Sequence, residues 1–328
     1  MRKFRKSKFL ALLVLSLLVV LPLMAGHESA EASGRRVRLI IGTGGVAGSY
    51  YPTGGALARV WTKYIDNVSV SAQSTGASIE NTRLLEDGEI ELGLTQTDLA
   101  EYAINAQHMF RTPSKHLTTI ASLFAEHIMI FVDRDSDIKS VADLKGKRVS
   151  VGSQGSGGLV NSQQIFSLWG ITFDDIRPLY LTNVDAVDRM KDGLLDAIFV
   201  TTASPNAAFQ DLAISRNVRL LGFSDDDLAR IRQEFPFFKD IVIPAGTYQG
   251  QEQDIKTVAV RAVLAVRDDL DEEIVYNLTK VLWENKKELS DMMVKLSEMD
   301  PEDPVQGITI GVHPGAVRYY KEKGVWKQ

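Results

Sequence analysis

LIIGTGGVAGSYYPTGGAL, residues Leu39–Leu57, decides how this chain is read. Leu39, Ile40 and Ile41 make the short apolar run of a buried parallel strand. Gly42, Gly44, Gly45 and Gly48 allow a sharp turn and a close backbone approach to a bound group. Ser49 suits a helix cap and Pro52 a first helical turn, where a missing N–H leaves nothing unpaired. The stretch therefore predicts strand, glycine loop and helix, with free N–H groups at the helix start that favour an anion. Gly42, Gly44 and Ala47 also fit the dinucleotide pattern GxGxxG/A. That pattern requires an acid at the end of the second strand, about 20 residues on, to hold a ribose. Here the second strand, Val68–Gln73, runs into Ser74, Thr75 and Gly76, so no nucleotide is expected. The glycines either serve only the turn or seat a small anion.

The rest of the chain sets the context for that loop. Its 328 residues suggest two domains or one large one, and the absence of cysteine excludes disulfides, thiolate metal sites and cysteine nucleophiles. Arg2, Lys3, Arg5, Lys6 and Lys8 precede an apolar run from Phe9 to Met24, followed by Ala30-Glu-Ala32. This is the pattern of a secretory signal peptide over residues 1–32, cleaved after Ala32 or, as an alternative, after Ala25. The run is short for a membrane span and is interrupted by Pro22. Cleavage after Ala32 leaves 32 basic and 40 acidic residues, a formal charge of −8. So acidic a surface disfavours nucleic acid and anionic membranes as partners.

A second copy of the opening pattern follows. Val149–Val151 reads as a strand, Gly152–Gly158 as a glycine loop and Leu159–Leu168 as a helix. In the first half Asp87-Gly88 closes a helix before an apolar strand. In the second Asp192-Gly193 does the same, before Leu195–Val200 and Thr201. Two like halves predict two α/β lobes, each a mostly parallel sheet flanked by helices, with ligand binding beyond the strand ends. Thr257–Val266 predicts a further strand. Asp271 caps a long helix striped by Ile274, Leu278, Leu282 and Leu289, and a last helix runs from Pro314 to Gly324. The tail is expected to rejoin the first lobe near residue 245. The expected domains are 33–127 plus 247–328 for lobe I and 128–246 for lobe II, with a hinge where the chain crosses twice.

Chemistry typical of enzymes is missing from these patterns. There is no HExxH, no GxSxG and no Lys-Ser or Lys-Thr after either glycine loop. The cluster Glu86, Asp87, Glu89 and Glu91 reads as a solvated helix end and strand edge. No cofactor and no metal are expected, and a binding protein is favoured over an enzyme.

Several segments together carry a resemblance. They are Thr43–Pro52 (TGGVAGSYYP), Ser74–Asn81 (STGASIEN), Gly88–Asp98, Gly155-Ser-Gly157, Asp196-Ala197, Ala245–Tyr248 and His313–Ala316 with Tyr319-Tyr320. Over almost all of the chain beyond residue 32, the sequence resembles the solute receptors of TAXI-type TRAP transporters. The resemblance implies a two-lobed periplasmic-binding-protein fold of type II-like form, a small anionic solute such as glutamate or 2-oxoglutarate, and delivery to an ion-gradient-driven TRAP permease. A monomer is expected. On this reading the N–H groups of Gly48, Ser49 and Tyr50 and of Ser156, Gly157 and Gly158 hold a carboxylate from each side. Ser74, Thr75, Gly76, Ser78, Asn81, Gln96, Thr97 and Thr201 supply hydrogen bonds, and Tyr50, Tyr51 and Tyr248 supply flat walls. Ser78 and Asn81 equally suit a helix cap, and the tyrosines equally suit the core. A sensor docking to a membrane signalling protein, or an exported enzyme using the same cleft, are the other readings left open.

Overall fold

The computed structural model describes residues 36–327. The expected signal peptide lies outside the described residues. In chain order, β1 (Val37–Gly42), α1 (Tyr50–Tyr64), β2 (Val68–Gln73), α2 (Ser78–Glu86), β3 (Leu92–Gln96) and α3 (Thr97–Ile104) form the first half. Then come β4 (Leu117–Asp133), β5 (Arg148–Ser150), α4 (Gly157–Ser167), β6 (Arg177–Leu179), α5 (Asn183–Lys191) and β7 (Ala197–Thr202). They are followed by α6 (Ala207–Ser215), β8 (Val218–Leu221), α7 (Asp225–Glu234) and β9 (Lys239–Ile243). The tail holds β10 (Ile255–Arg267), α8 (Glu272–Glu284), α9 (Lys286–Met292) and α10 (Pro314–Glu322).

The strands join in one ten-stranded mixed sheet, ordered β2-β1-β3-β10-β4-β7-β5-β6, with β8 on β4 and β9 on β10. The outer pairings, β1 with β2 and β3 and β5 with β6 and β7, are parallel, as the repeat of strand, loop and helix requires. The long strands β4 and β10 lie between them and pair antiparallel, from Arg267 opposite Leu117 to Ala259 opposite His127. Both are buried almost throughout, as central strands covered on both faces are.

The two halves repeat at the level of single hydrogen bonds. Gly88 and Gly193 have φ of +73° and +72°, a conformation glycine adopts without steric penalty. In the first half the N–H of Glu89 bonds to Leu84 O at 2.9 Å, and in the second that of Leu194 bonds to Arg189 O at 2.8 Å. Both are left-handed helix ends that turn the chain into the next strand.

Of four buried clusters among the described residues, two meet along the long central strands. The first gathers Leu39, Ile41, Leu57, Trp61, Phe124, Ala262, Leu264, Leu278 and Tyr320. Trp61 is fully buried and donates from its ring N–H to Leu278 O at 2.9 Å. This ties α1 to the tail, and each such buried side chain stabilises by about 1.5–3 kcal/mol. The second core gathers Ile128, Ile130, Val149, Phe166, Phe199, Val258 and Val260. Along β4 the packing changes from one core to the other between Phe124 and Ile128. Along β10 it changes between Val260 and Ala262. The tail therefore meets the first core later than the boundary near 246. Tyr248 still packs with Met129, Phe131 and Phe209 on the far side, because β9 and the start of β10 form a hairpin there.

The expected single long tail helix is two. Asp271 caps α8 by accepting from Ile274 N at 3.0 Å, but α8 ends at Asn285, whose amide bonds to Val281 O. Leu289 is buried from α9 instead.

Candidate functional site

The two glycine loops face each other across one cavity of about 500 Å³. Gly48, Ser49, Tyr50, Ser74, Thr75, Gly76, Ser78 and Gln96 line it from the first half. Ser156, Gly157, Gly158 and Thr201 line it from the second.

Each expected N–H seat is shorter by its first residue. Gly48 N bonds to Gly45 O at 2.8 Å and Ser156 N to Ser153 O at 3.2 Å, so both close their own turns. Among the described residues no acceptor takes the N–H groups of Ser49 and Tyr50 at the start of α1, or those of Gly157 and Gly158 at the start of α4. Two pairs of donors at two helix N-termini thus remain available to an anion.

Ser49 does not cap α1. Its hydroxyl instead crosses the cavity rim to Thr202 Oγ1 at 2.7 Å and accepts from Ala203 N at 3.1 Å. Ser156 does cap its helix, accepting from Leu159 N at 3.2 Å. Other bonds also join the halves. Asn206 donates to Ala47 O at 3.1 Å, and Gly155 O accepts from Ile79 N at 2.9 Å, which satisfies the start of α2.

Four expected residues do not line the cavity. Asn81 is buried and donates to Thr43 O and Leu94 O, both at 2.7 Å, while accepting from Thr75 at 2.6 Å. It ties the first loop to β3 and has no face left for a ligand. Thr97 is buried at the start of α3 and Tyr51 turns outward on α1, next to the inward Tyr50. Tyr248 lines a separate cavity of about 290 Å³ and bonds to the Ser204 hydroxyl at 3.1 Å.

Sequence reasoning missed Glu126, the one carboxylate lining the cavity among the described residues. It stands on β4 where the packing changes core. Tyr50 donates to its Oε2 at 2.6 Å. Burial pushes the Glu126 carboxyl up to about 8, a shift that the Tyr50 and Gln96 side chains oppose. Asp98, buried at the start of α3, accepts from Asn161 of the other half at 2.9 Å, and burial pushes it up to about 7. Among the described residues five buried polar atoms have no partner: Gln96 Oε1, Asp98 Oδ1, His127 Nδ1, Asn161 Oδ1 and Thr201 Oγ1. Among the described residues no Arg, Lys or His lines the cavity.

Gly157 is required by a close approach. A Cβ there would stand 1.9 Å from Gln96 Oε1. Of the described residues, His116, Asp268 and Asp269 alone bring three metal-type ligand atoms together, and none of them lines the cavity. No helix among the described residues is long and apolar enough to cross a membrane.

Comparison with known proteins gives one family and one fold. A model of the NMT1-like family matches residues 41–324. Among solved structures, a candidate L-cystine ABC transporter from Listeria monocytogenes is similar at 14% identity, over 83% of this chain and 99% of that one, with a TM-score of 0.51. The periplasmic aliphatic sulphonate binding protein SsuA from Escherichia coli is similar at 19% identity, over 87% and 78%, with a TM-score of 0.44. An ancestral arginine-binding protein bound to arginine is similar at 18% identity, over 80% and 98%, with a TM-score of 0.49. The fold is the α/β fold of the periplasmic binding proteins, with a curled mixed sheet.

Proposed function

We propose that this chain, which belongs to the NMT1-like family, is an extracytoplasmic solute receptor. It captures a small carboxylate or amino acid, of glutamate or 2-oxoglutarate type, between two lobes and delivers it to an ion-gradient-driven permease of the TRAP type. The observation that carries the reading is the pairing of free N–H groups. Ser49 and Tyr50 offer two from one wall of a single cavity, and Gly157 and Gly158 offer two from the other. A carboxylate accepts several such bonds at once, and helix N-termini favour its charge.

The lobes meet through residues 125–128 of β4 and 260–262 of β10, where the cores change over. Two extended crossings of this kind form a hinge, and a solute touching both walls shifts the balance toward closure. Export rests on the N-terminal signal pattern, and the permease type on the resemblance in residues 43–52 and 74–81.

The test is a thermal-shift screen of protein lacking residues 1–32, unfolded and refolded to remove carried-over solute. The panel comprises amino acids, oxo acids, dicarboxylates and neutral sugars. A saturable rise in Tm with a carboxylate and none with the sugars is the expected result. A response to sugars alone would overturn the carboxylate reading.

A further inference from the structure

Asp98 of α3 and Asn161 of α4 meet where the two halves touch, and both are fully buried. Leu99 and Ala103 of α3 cluster there with Val160 of α4, so the pair sits in an apolar seam. Asn161 Nδ2 donates to Asp98 Oδ2 at 2.9 Å and to Gln164 Oε1 at 3.1 Å. Both of its N–H groups are thus spent, and a flipped amide would set an oxygen against two acceptors. The second atom of each group, Asp98 Oδ1 and Asn161 Oδ1, is buried without a partner. Two leftover oxygens, on a carboxyl and a carboxamide that already share one hydrogen bond, are completed by a single proton. A carboxylic acid has one O–H to donate, and the carboxamide oxygen is free to accept it.

We propose that Asp98 and Asn161 form a proton-dependent latch between the halves, in which the Asp98 O–H donates to Asn161 Oδ1 while Asn161 Nδ2 donates to Asp98 Oδ2. Ionised Asp98 would instead set a negative oxygen against a carbonyl oxygen in an apolar seam. The titratable groups that face it are Glu101 and Tyr102 of α3, Glu126 of β4 and Tyr50 of α1, and none of these is cationic. From α4 it meets Asn161, which in turn bonds Gln164, and both are neutral. Burial, with the Glu101 charge adding to it, holds the Asp98 proton to about 7. When the halves part, water reaches Asp98 and returns it to the ordinary carboxylate range, so opening releases one proton. The latch is therefore complete in acid and is lost as pH rises through about 7. A buried water bridging the two oxygens is the competing arrangement, and it requires Asp98 to be ionised.

That the seam opens rests on the receptor reading; that it holds a proton does not, and the test separates the two. Protein lacking residues 1–32, with isotope-labelled aspartate carboxyls, is titrated by NMR. One aspartate should titrate near pH 7, and its signal should be missing from Asp98→Asn. The titration in the natural chain is decisive even where the variant does not fold. If every aspartate is already ionised at about pH 6, the inference is overturned, whether or not a solute is found. Hydrogen exchange then reads the opening, through Ile79 N, bonded to Gly155 O, and Ala203 N, bonded to Ser49 Oγ, both across the halves. Asp98→Asn keeps the latch without titrating, since its amide donates to Asn161 Oδ1 and accepts from Asn161 Nδ2. Relative to that variant, protection of the two amides in the natural chain should fall about 100-fold from about pH 5 to about pH 8. A titrating Asp98 with an unchanged protection ratio overturns the latch and leaves solute capture to be judged by the thermal-shift panel.

Discussion

The Ser49 hydroxyl lies 2.7 Å from that of Thr202, and the two belong to opposite halves of the chain. One oxygen thus serves as a clasp, since Ser49 also accepts from Ala203 N. Ser49→Ala removes both bonds without adding volume. Affinity for the solute should fall about tenfold, with Tm of the free protein changed little, because the clasp matters in the closed state. Calorimetry and small-angle scattering check this, with the variant expected to stay more open at saturating solute.

Gly157 and Gly45 make a matched pair of substitutions. A Cβ at Gly157 meets the Gln96 side chain at 1.9 Å, whereas one at Gly45 meets nothing within 4 Å. Gly157→Ala should push Gln96 aside and weaken binding by more than about tenfold. Gly45→Ala should bind like the natural chain. Parallel titrations of the two variants decide it.

Asn81 is a structural residue, with each side-chain atom engaged by Thr43, Leu94 or Thr75. Asn81→Ala leaves buried carbonyls unpaired and should cost about 2–4 kcal/mol of stability. Denaturant unfolding measures the loss. Residual folded protein should still bind solute, since Asn81 does not line the cavity.

The buried acids set a pH dependence. Burial raises Glu126 to about 8 and Asp98 to about 7, so the folded state holds protons that the unfolded state has released. Their contribution is fully present at low pH and is lost as pH rises through these values. His127 acts oppositely below pH 6.5. Burial lowers it to about 4, so the unfolded state binds its proton first and stability falls with acid. Between pH 6.5 and 8 the acids outweigh the histidines, and stability of the free protein should fall by about 2 kcal/mol. Glu126→Gln should flatten most of that slope in denaturant titrations run across this range.

Much of the architecture was legible because local chemistry dictates it. The glycine loops, β2, the start of α2 and the matching Asp-Gly helix ends all depend on residues within one or two turns of each other. Glu126 was not legible. It sits in the apolar run Leu117–Val132, where every position looks buried, and only the pairing of β4 with β10, distant in sequence, shows which face meets the cavity. The same pairing hid the place where the tail rejoins the first core. Both ends of β10 are apolar, so no change in pattern marks the step from Val260 to Ala262. Each N–H seat was read one residue too long because Gly45 O and Ser153 O close turns that residue types alone do not reveal.

The most direct measurement is a calorimetric titration of refolded protein lacking residues 1–32 with its best-binding carboxylate, repeated with Gly158→Pro. Proline removes one of the four free N–H groups at a first-turn position that tolerates it. The account predicts one site per chain in the natural protein and at least about tenfold weaker binding in the variant, with an unchanged circular dichroism spectrum. Undiminished binding by a folded Gly158→Pro variant would contradict capture of a carboxylate at the second glycine loop.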